Sequence, residues 1–190
     1  WLSHYDNQPI PEEQMRVWAK DIVNQVLAKK PQRVWEVGCG TGMLLFQIAP
    51  HAKAYYGTDI SNVSLEYIQK QIAQHPDKYA HVTLAQKEAQ DMADVSENSF
   101  DVVLLSSIVQ YFPSTDYLLE VIENSIRVVK SGGVIVLTDI RSLPLMEAFH
   151  SSVELYKATP SLSVQQLKER IDRLIQQDNE LFLSPEFFVA

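Results

Sequence analysis

Between Arg33 and Ile140 the chain alternates short apolar runs with amphipathic stretches of helical spacing. The runs "RVWEV", "AYYGTD", "VTLAQ", "FDVVLLSS" and "VIVLTDI" read as five strands. Between them, "SNVSLEYIQKQIAQ", with Ser61 as its N-cap, and "TDYLLEVIENSIRVV" read as helices, and Met43 to Ala49 as a further helix. Parallel neighbours need a crossover of about a dozen residues, and helices supply it. The alternation therefore predicts an α/β chain with a doubly wound parallel sheet. "FDVVLLSS" is apolar almost throughout, as a central strand covered on both faces requires. "KSGG" is expected to end the helix before the fifth strand, with Gly132 or Gly133 as its cap.

The turn after the first strand carries the strongest local signal. "VWEVGCGTG", Val34 to Gly42, places Gly38, Gly40 and Gly42 on alternate positions. In such sheets ligands bind outside the carboxyl ends of the strands, at the switch point. Glycines there bend the chain sharply and remove side chains that would hold a ligand off. The spacing is G-x-G-x-G, not the G-x-G-x-x-G of dinucleotide sites, and Glu36 precedes it. An acid at that point repels phosphate and attracts a cation. Asp59 ends the second strand, where a carboxylate accepts hydrogen bonds from a ribose diol. Together these residues ask for a nucleoside with a positive centre and no phosphate. Cys39 is the small residue the turn needs, with no histidine near it in sequence to make it a nucleophile.

At 190 residues the chain is long enough for one sizeable core. A net charge of −8 argues against nucleic acid or an anionic membrane as partner. One cysteine excludes an internal disulfide framework and suits the reducing cytoplasm. A start at Trp1, without methionine, is expected of a piece of a longer polypeptide.

S-adenosyl-L-methionine, with its ammonium and sulfonium, meets the ligand description, and the chain resembles the enzymes that use it. "VWEVGCGTG", "YYGTDIS", "KEAQDM", "FDVVLLSSIVQYF" and "VVKSGGVIVLTD" fall in the order and spacing of class I S-adenosylmethionine-dependent methyltransferases. The resemblance implies a Rossmann-like core, with S-adenosyl-L-homocysteine as the product left by the cofactor. It implies that Glu36, Gly38, Cys39, Gly40 and Gly42 line the methionine end, and that Asp59 and Ile60 hold the ribose and adenine side. Glu88 and Ala89 fall where the family contacts the adenine amino edge. Ser106, with Ser107, falls at the strand end nearest the transferable methyl.

A narrower resemblance involves "YDNQPIPEEQMRVW", "SSIVQYFPSTDYL" and "RSLPLMEAFHSSV". These are similar to methyltransferase domains embedded in nonribosomal peptide synthetases and polyketide synthases. That implies an acyl or peptidyl carrier protein bearing the substrate, neighbouring megasynthase domains, and an amine or hydroxyl acceptor. By this reading residues 1–32 form a helical cap, 33–140 the cofactor-binding core and 141–190 a helical lid on the acceptor side. No strand is legible after Ile140, so the usual sixth and seventh strands are expected to be missing. Tyr5 is placed to reach the cofactor carboxylate. His150 is the candidate base for a hydroxyl acceptor, with Glu154, or Glu147, one turn away to orient its ring. Two other readings stay open: a nicotinamide-dependent oxidoreductase on a similar sheet, and a catalytically silent structural domain.

Overall fold

The structure, a computed structural model, describes residues 1–189. Five strands, β1 (Arg33–Val37), β2 (Ala54–Asp59), β3 (Val82–Gln86), β4 (Phe100–Ser106) and β5 (Val129–Thr138), form one sheet in the order β3-β2-β1-β4-β5. Every pairing is parallel. Helices α1 (Glu12–Ala28), α2 (Leu45–Ile48), α3 (Asn62–Gln74), α4 (Pro76–Tyr79) and α5 (Thr115–Val128) flank it. The α/β, doubly wound class read from the alternation is the one observed.

Period-two alternation divides the core. Val34 and Leu104 pack with Ile22, Val26 and Ile68 on one face. Trp35, Val37, Val103 and Leu105 pack with Val121 and Val128 on the other. All of Val102–Leu105 are fully buried, which explains the unbroken apolar run. Ser61 caps α3, its side chain accepting from the Ser64 N–H. The helix after the glycine turn is shorter than expected: α2 holds four residues, followed by a 3₁₀ turn at Ala49–His51.

Gly132 and Gly133 are not helix caps. α5 ends at Val128 and the chain passes directly into β5. Phe100 pairs with Val129, but Val102 pairs with Val134, so β5 accommodates extra residues between these points. Gly132 supplies φ +79° there, and a Cβ on Gly133 would stand 2.7 Å from the Asp101 carbonyl oxygen.

After β5 the structure contains two short strands the sequence reading missed, on either side of the helices it expected. Strand β6 (Arg141–Ser142) pairs in parallel with β7 (Phe182–Leu183), apart from the main sheet. Two helices lie between them, α6 (Met146–Lys157) and α7 (Val164–Gln177), the latter opened by a capping box between Ser163 and Gln166. Two-residue strands are too short to show alternation. What holds them is packing: the Arg141 guanidinium lies 4.4 Å from the Phe149 ring centre and 4.8 Å from that of Phe182. Arg141 also pairs with Glu180 at 2.8 Å. Among the described residues the main sheet has no sixth or seventh strand.

The first ten residues strap α1 to α6. Trp1 packs on Trp18 with ring centres 5.4 Å apart, and His4 meets Phe149 edge-on at 5.2 Å.

Candidate active site

A cavity of about 600 Å³ opens at the carboxyl ends of the strands, where the order switches between β1 and β4. Glu36, Gly38, Cys39 and Gly40 reach it from β1 and its turn, and Asp59 and Ile60 from the end of β2. Glu88 and Ala89 arrive after β3, and Ser106 and Ser107 from the end of β4. The topology thus gathers ten sequence-predicted positions into one space.

Glu36 is 3% exposed, and its Oε2 accepts from the Tyr55 hydroxyl at 2.7 Å. Burial pushes its carboxyl up to about 8, against a Tyr55 hydrogen bond that pulls it down. Among the described residues no lysine or arginine forms an ion pair with it. A desolvated carboxyl beside a cavity, without a cation of its own, is suited to a cationic ligand group and opposed to a phosphate. Asp59 is fixed differently: Gly40 N–H donates to Oδ2 and Ser61 N–H to Oδ1, each at 2.8 Å. Each oxygen keeps a further acceptor position, and two acceptors side by side suit vicinal hydroxyls.

The three glycines have separate roles. Gly38 (φ +73°) and Gly42 (φ +86°) face protein, since an added Cβ would meet Ile108 Cγ2 at 2.5 Å and Phe46 Cε2 at 2.7 Å respectively. Gly40 (φ +52°) has nothing within 4 Å of that position. Only at Gly40 does the missing side chain leave open room; elsewhere the motif lets the protein close on itself. Gly42 lines a shallower neighbouring depression with Phe46 and Tyr67, not the main cavity. Cys39 is buried, and burial drives its thiol pKa up, so it is no nucleophile.

Besides Gly42, three expected residues lie elsewhere. Tyr5 does not line the cavity: its hydroxyl is hydrogen-bonded to Ser152 Oγ at 2.7 Å and its ring meets Tyr156 edge-on. His150 and Glu154 are buried on the inner face of α6, also off the cavity. The ring of His150 is not oriented by Glu154. Its Nε2 is hydrogen-bonded to Asp178 Oδ2 at 3.0 Å, whereas Glu154 pairs with Arg170 at 3.0 Å. Glu147 is exposed. The reason is rotational: His150, Val153 and Glu154 share the stripe that α6 turns toward the molecule, where α7 and the segment after it supply counter-charges.

Several lining residues went unread: Trp1, Trp18, Lys87, Ile108, Tyr111 and Tyr117. The signal that marks Trp18 is its indole N–H, which a half-buried tryptophan pairs with an acceptor. Here that partner is Asp139, at 2.9 and 3.1 Å from its two carboxylate oxygens.

Residues 28–179 match the family model described as a methyltransferase domain. Chondramide synthase cmdD of Chondromyces crocatus is 43% identical over 190 residues, covering all of this chain and 5% of that protein. Nonribosomal peptide synthetase asqK of Emericella nidulans is 31% identical over 192 residues, covering all of this chain and 7% of its own length. The chain therefore spans only a small part of these relatives. Among solved structures, N-methyltransferase NodS from Bradyrhizobium japonicum superposes with TM-score 0.63 at 14% identity, over 89% of this chain and 93% of NodS. Its complex with S-adenosyl-L-homocysteine gives TM-score 0.60 at 14% identity, over 83% of this chain and 73% of that one. With a parallel sheet, a carboxylate-guarded glycine turn and a family match over most of its length, the chain belongs to the methyltransferase-domain family, of the class I type that uses S-adenosylmethionine.

Proposed function

We propose that this chain is the methyl-transferring region of a nonribosomal peptide or polyketide megasynthase, acting in the cytoplasm on an intermediate tethered to a carrier protein. The relatives that match it from end to end are peptide synthetases, which supports a carrier-bound acceptor and neighbouring synthase domains as partners. S-adenosylmethionine supplies, when bound, a methyl group made electrophilic by its sulfonium. Residues 33–140 form the cofactor half, with 1–32 as a cap and 141–190 flanking the acceptor side. Among the described residues no helix is long and apolar enough to cross a membrane.

The chain's own residues divide the work. Glu36 neutralises the ammonium of the donor, and Asp59 accepts from the ribose hydroxyls. Ile60 covers the adenine, with Glu88 and Ala89 along its amino edge, and the open space at Gly40 admits the methionine moiety. Ser106 and Ser107 border the place where acceptor and methyl meet. Transfer is an in-line displacement, so positioning dominates the rate.

An amine is the acceptor favoured over a hydroxyl. The observation that carries this is the cavity wall, which among the described residues holds carboxylates, hydroxyls and Lys87, paired with Asp94, but no histidine. A peptide α-amine, with pKa near 8, is already partly neutral at cytoplasmic pH and needs little help, whereas an alcohol needs a base. The test is mass spectrometry of a carrier-bound aminoacyl thioester incubated with the chain and methyl-labelled cofactor. One labelled methyl on nitrogen is expected. Tight binding of NAD with none of S-adenosylhomocysteine would favour an oxidoreductase, and cofactor binding without transfer a silent structural domain.

A further inference from the structure

Two adjacent strand ends carry the same unusual backbone. Ser107, just past β4, has φ +57°, and Asp139, just past β5, has φ +58°. In both cases a side-chain-bearing residue occupies the left-handed region, which is uncommon and concentrates at functional sites. Their neighbours Ser106 and Thr138 are register partners, so the two turns lie side by side. Turning in this way re-aims both side chains, and the Ser107 hydroxyl donates to Asp139 Oδ2. Trp18, from α1, donates its indole N–H to the same carboxylate. Ser107 and Trp18 both line the cavity.

Asp139 itself lies just outside the cavity lining, its carboxylate held by two neutral donors that do line it. Among the described residues no lysine, arginine or histidine lies within ion-pair distance of it. Asp139 is also exposed, unlike Glu36, so it meets solvent and whatever enters from it. Trp18 and Ser107 leave acceptor positions on Oδ1 unused, since an ionised carboxylate accepts about four hydrogen bonds. A fixed negative charge without a cation of its own, one hydrogen bond away from the cavity wall at the end of β4, is an electrostatic anchor for a cation that enters there.

We propose that Asp139 is an acceptor-anchoring residue: its carboxylate, held by Trp18 and Ser107, binds the protonated amine of the incoming aminoacyl group at the cavity rim and sets amine over hydroxyl preference. This rests on the methyltransferase reading above. The ammonium donates to Oδ1, and on losing a proton to solvent the amine is left beside Ser106 and Ser107 with its lone pair free. A hydroxyl has no positive charge to exchange for that contact. Because Trp18 belongs to α1 and shares a face with Trp1, the same carboxylate ties the N-terminal strap to the strand ends.

The test measures equilibrium binding, in the presence of S-adenosylhomocysteine, of an unreactive aminoacyl-pantetheine amide and of its hydroxyacyl counterpart. Asp139→Asn keeps the size of the side chain and an oxygen for the Trp18 N–H while removing the charge. It is expected to weaken the amine by about tenfold or more, leaving the hydroxyacyl ligand and S-adenosylhomocysteine within about twofold. In turnover the same variant raises KM for the amine more than it lowers kcat. Asp139→Glu is expected to restore part of the amine affinity. Equal amine affinity in Asp139→Asn and the parent overturns the anchor. So does an equal loss for both acceptors together with a weaker cofactor analogue, which marks a structural role. An amine that fails to bind the parent also overturns it. Binding that follows Asp139 without any methyl transfer leaves the anchor standing and defeats the methyltransferase reading instead.

Discussion

The Tyr55 hydroxyl donates to Glu36 Oε2 at 2.7 Å, and both side chains are buried, at 1% and 3% exposure. β2 thus holds the acid of β1 from behind, on the strand pairing that puts Glu36 level with Gly57. The phenol itself is pushed well above its usual pKa by burial and by the carboxyl beside it, so it remains a donor. Tyr55→Phe keeps the ring and deletes the donor. It is expected to cost about 1–2 kcal/mol of stability and to weaken S-adenosylhomocysteine by about tenfold, because the bond gained by the ionised form of Glu36 is lost. Denaturant melts and calorimetry measure the two separately; a full loss of stability with unaltered affinity would detach Tyr55 from the ligand.

Proton linkage at Glu36 follows from the same burial. An unfolded chain ionises this carboxyl near 4.5, whereas the folded, ligand-free chain holds it to about 8. Between those values the folded state binds more protons, so stability from this group is complete below about pH 4.5 and declines as pH rises toward 8. A bound ammonium reverses the preference and expels the proton. Calorimetric titration at pH 7 in two buffers of different ionisation enthalpy is expected to show proton release on S-adenosylhomocysteine binding. Glu36→Gln is expected to abolish that release and flatten the stability decline.

The glycine turn yields a contrast within one motif. Gly38→Ala forces a methyl into Ile108 at a backbone angle that disfavours it, and Ile108 packs, half-buried, against the core of that sheet face. Stability should fall by about 2–4 kcal/mol. Gly40→Ala meets only the angle cost, about 1–2 kcal/mol, yet fills the space left open to a ligand. It should melt near the parent temperature while losing most affinity for S-adenosylhomocysteine. Thermal scans with and without the ligand check both at once.

That contrast marks what the sequence could carry. The strands were legible because short apolar runs alternate with stretches of helical spacing, and β4 is apolar on both faces. The cavity wall along β1 and β2 was legible because it is built from consecutive residues at strand ends, Glu36 to Gly40 and Asp59 to Ile60. The surroundings of Trp18 and Asp139 were not, because they depend on contacts across long separations. Trp18 and Asp139 are 121 residues apart, and nothing local to either announces the other. The periodicity of α6 put His150 at the edge of its apolar stripe, but which way that edge faces is decided by α7 and by Asp178, 28 residues later. The β6–β7 pairing is likewise set by Arg141 lying between two phenylalanines, a tertiary contact with no pattern of its own.

His150 and Asp178 act as a latch between α6 and the end of α7. Both side chains are largely enclosed, at 10% and 13% exposure, and bonded at 3.0 Å. Neither lines the cavity. His150→Ala strands the Asp178 carboxylate with one donor fewer, and Asp178→Ala strands the imidazole, so each should cost about 1–3 kcal/mol. The double variant should cost less than the sum of the two, since the second substitution has no bond left to break. Methyl transfer to an amine acceptor, measured well below the melting temperature, should stay within a few-fold of the parent in all three. A loss of about a hundredfold or more in His150→Ala, at full stability and with S-adenosylhomocysteine still bound, would instead return the imidazole to the chemistry as a base. The comparison works because a latch moves the melting curve and a base moves kcat, and the cycle reads both on the same proteins.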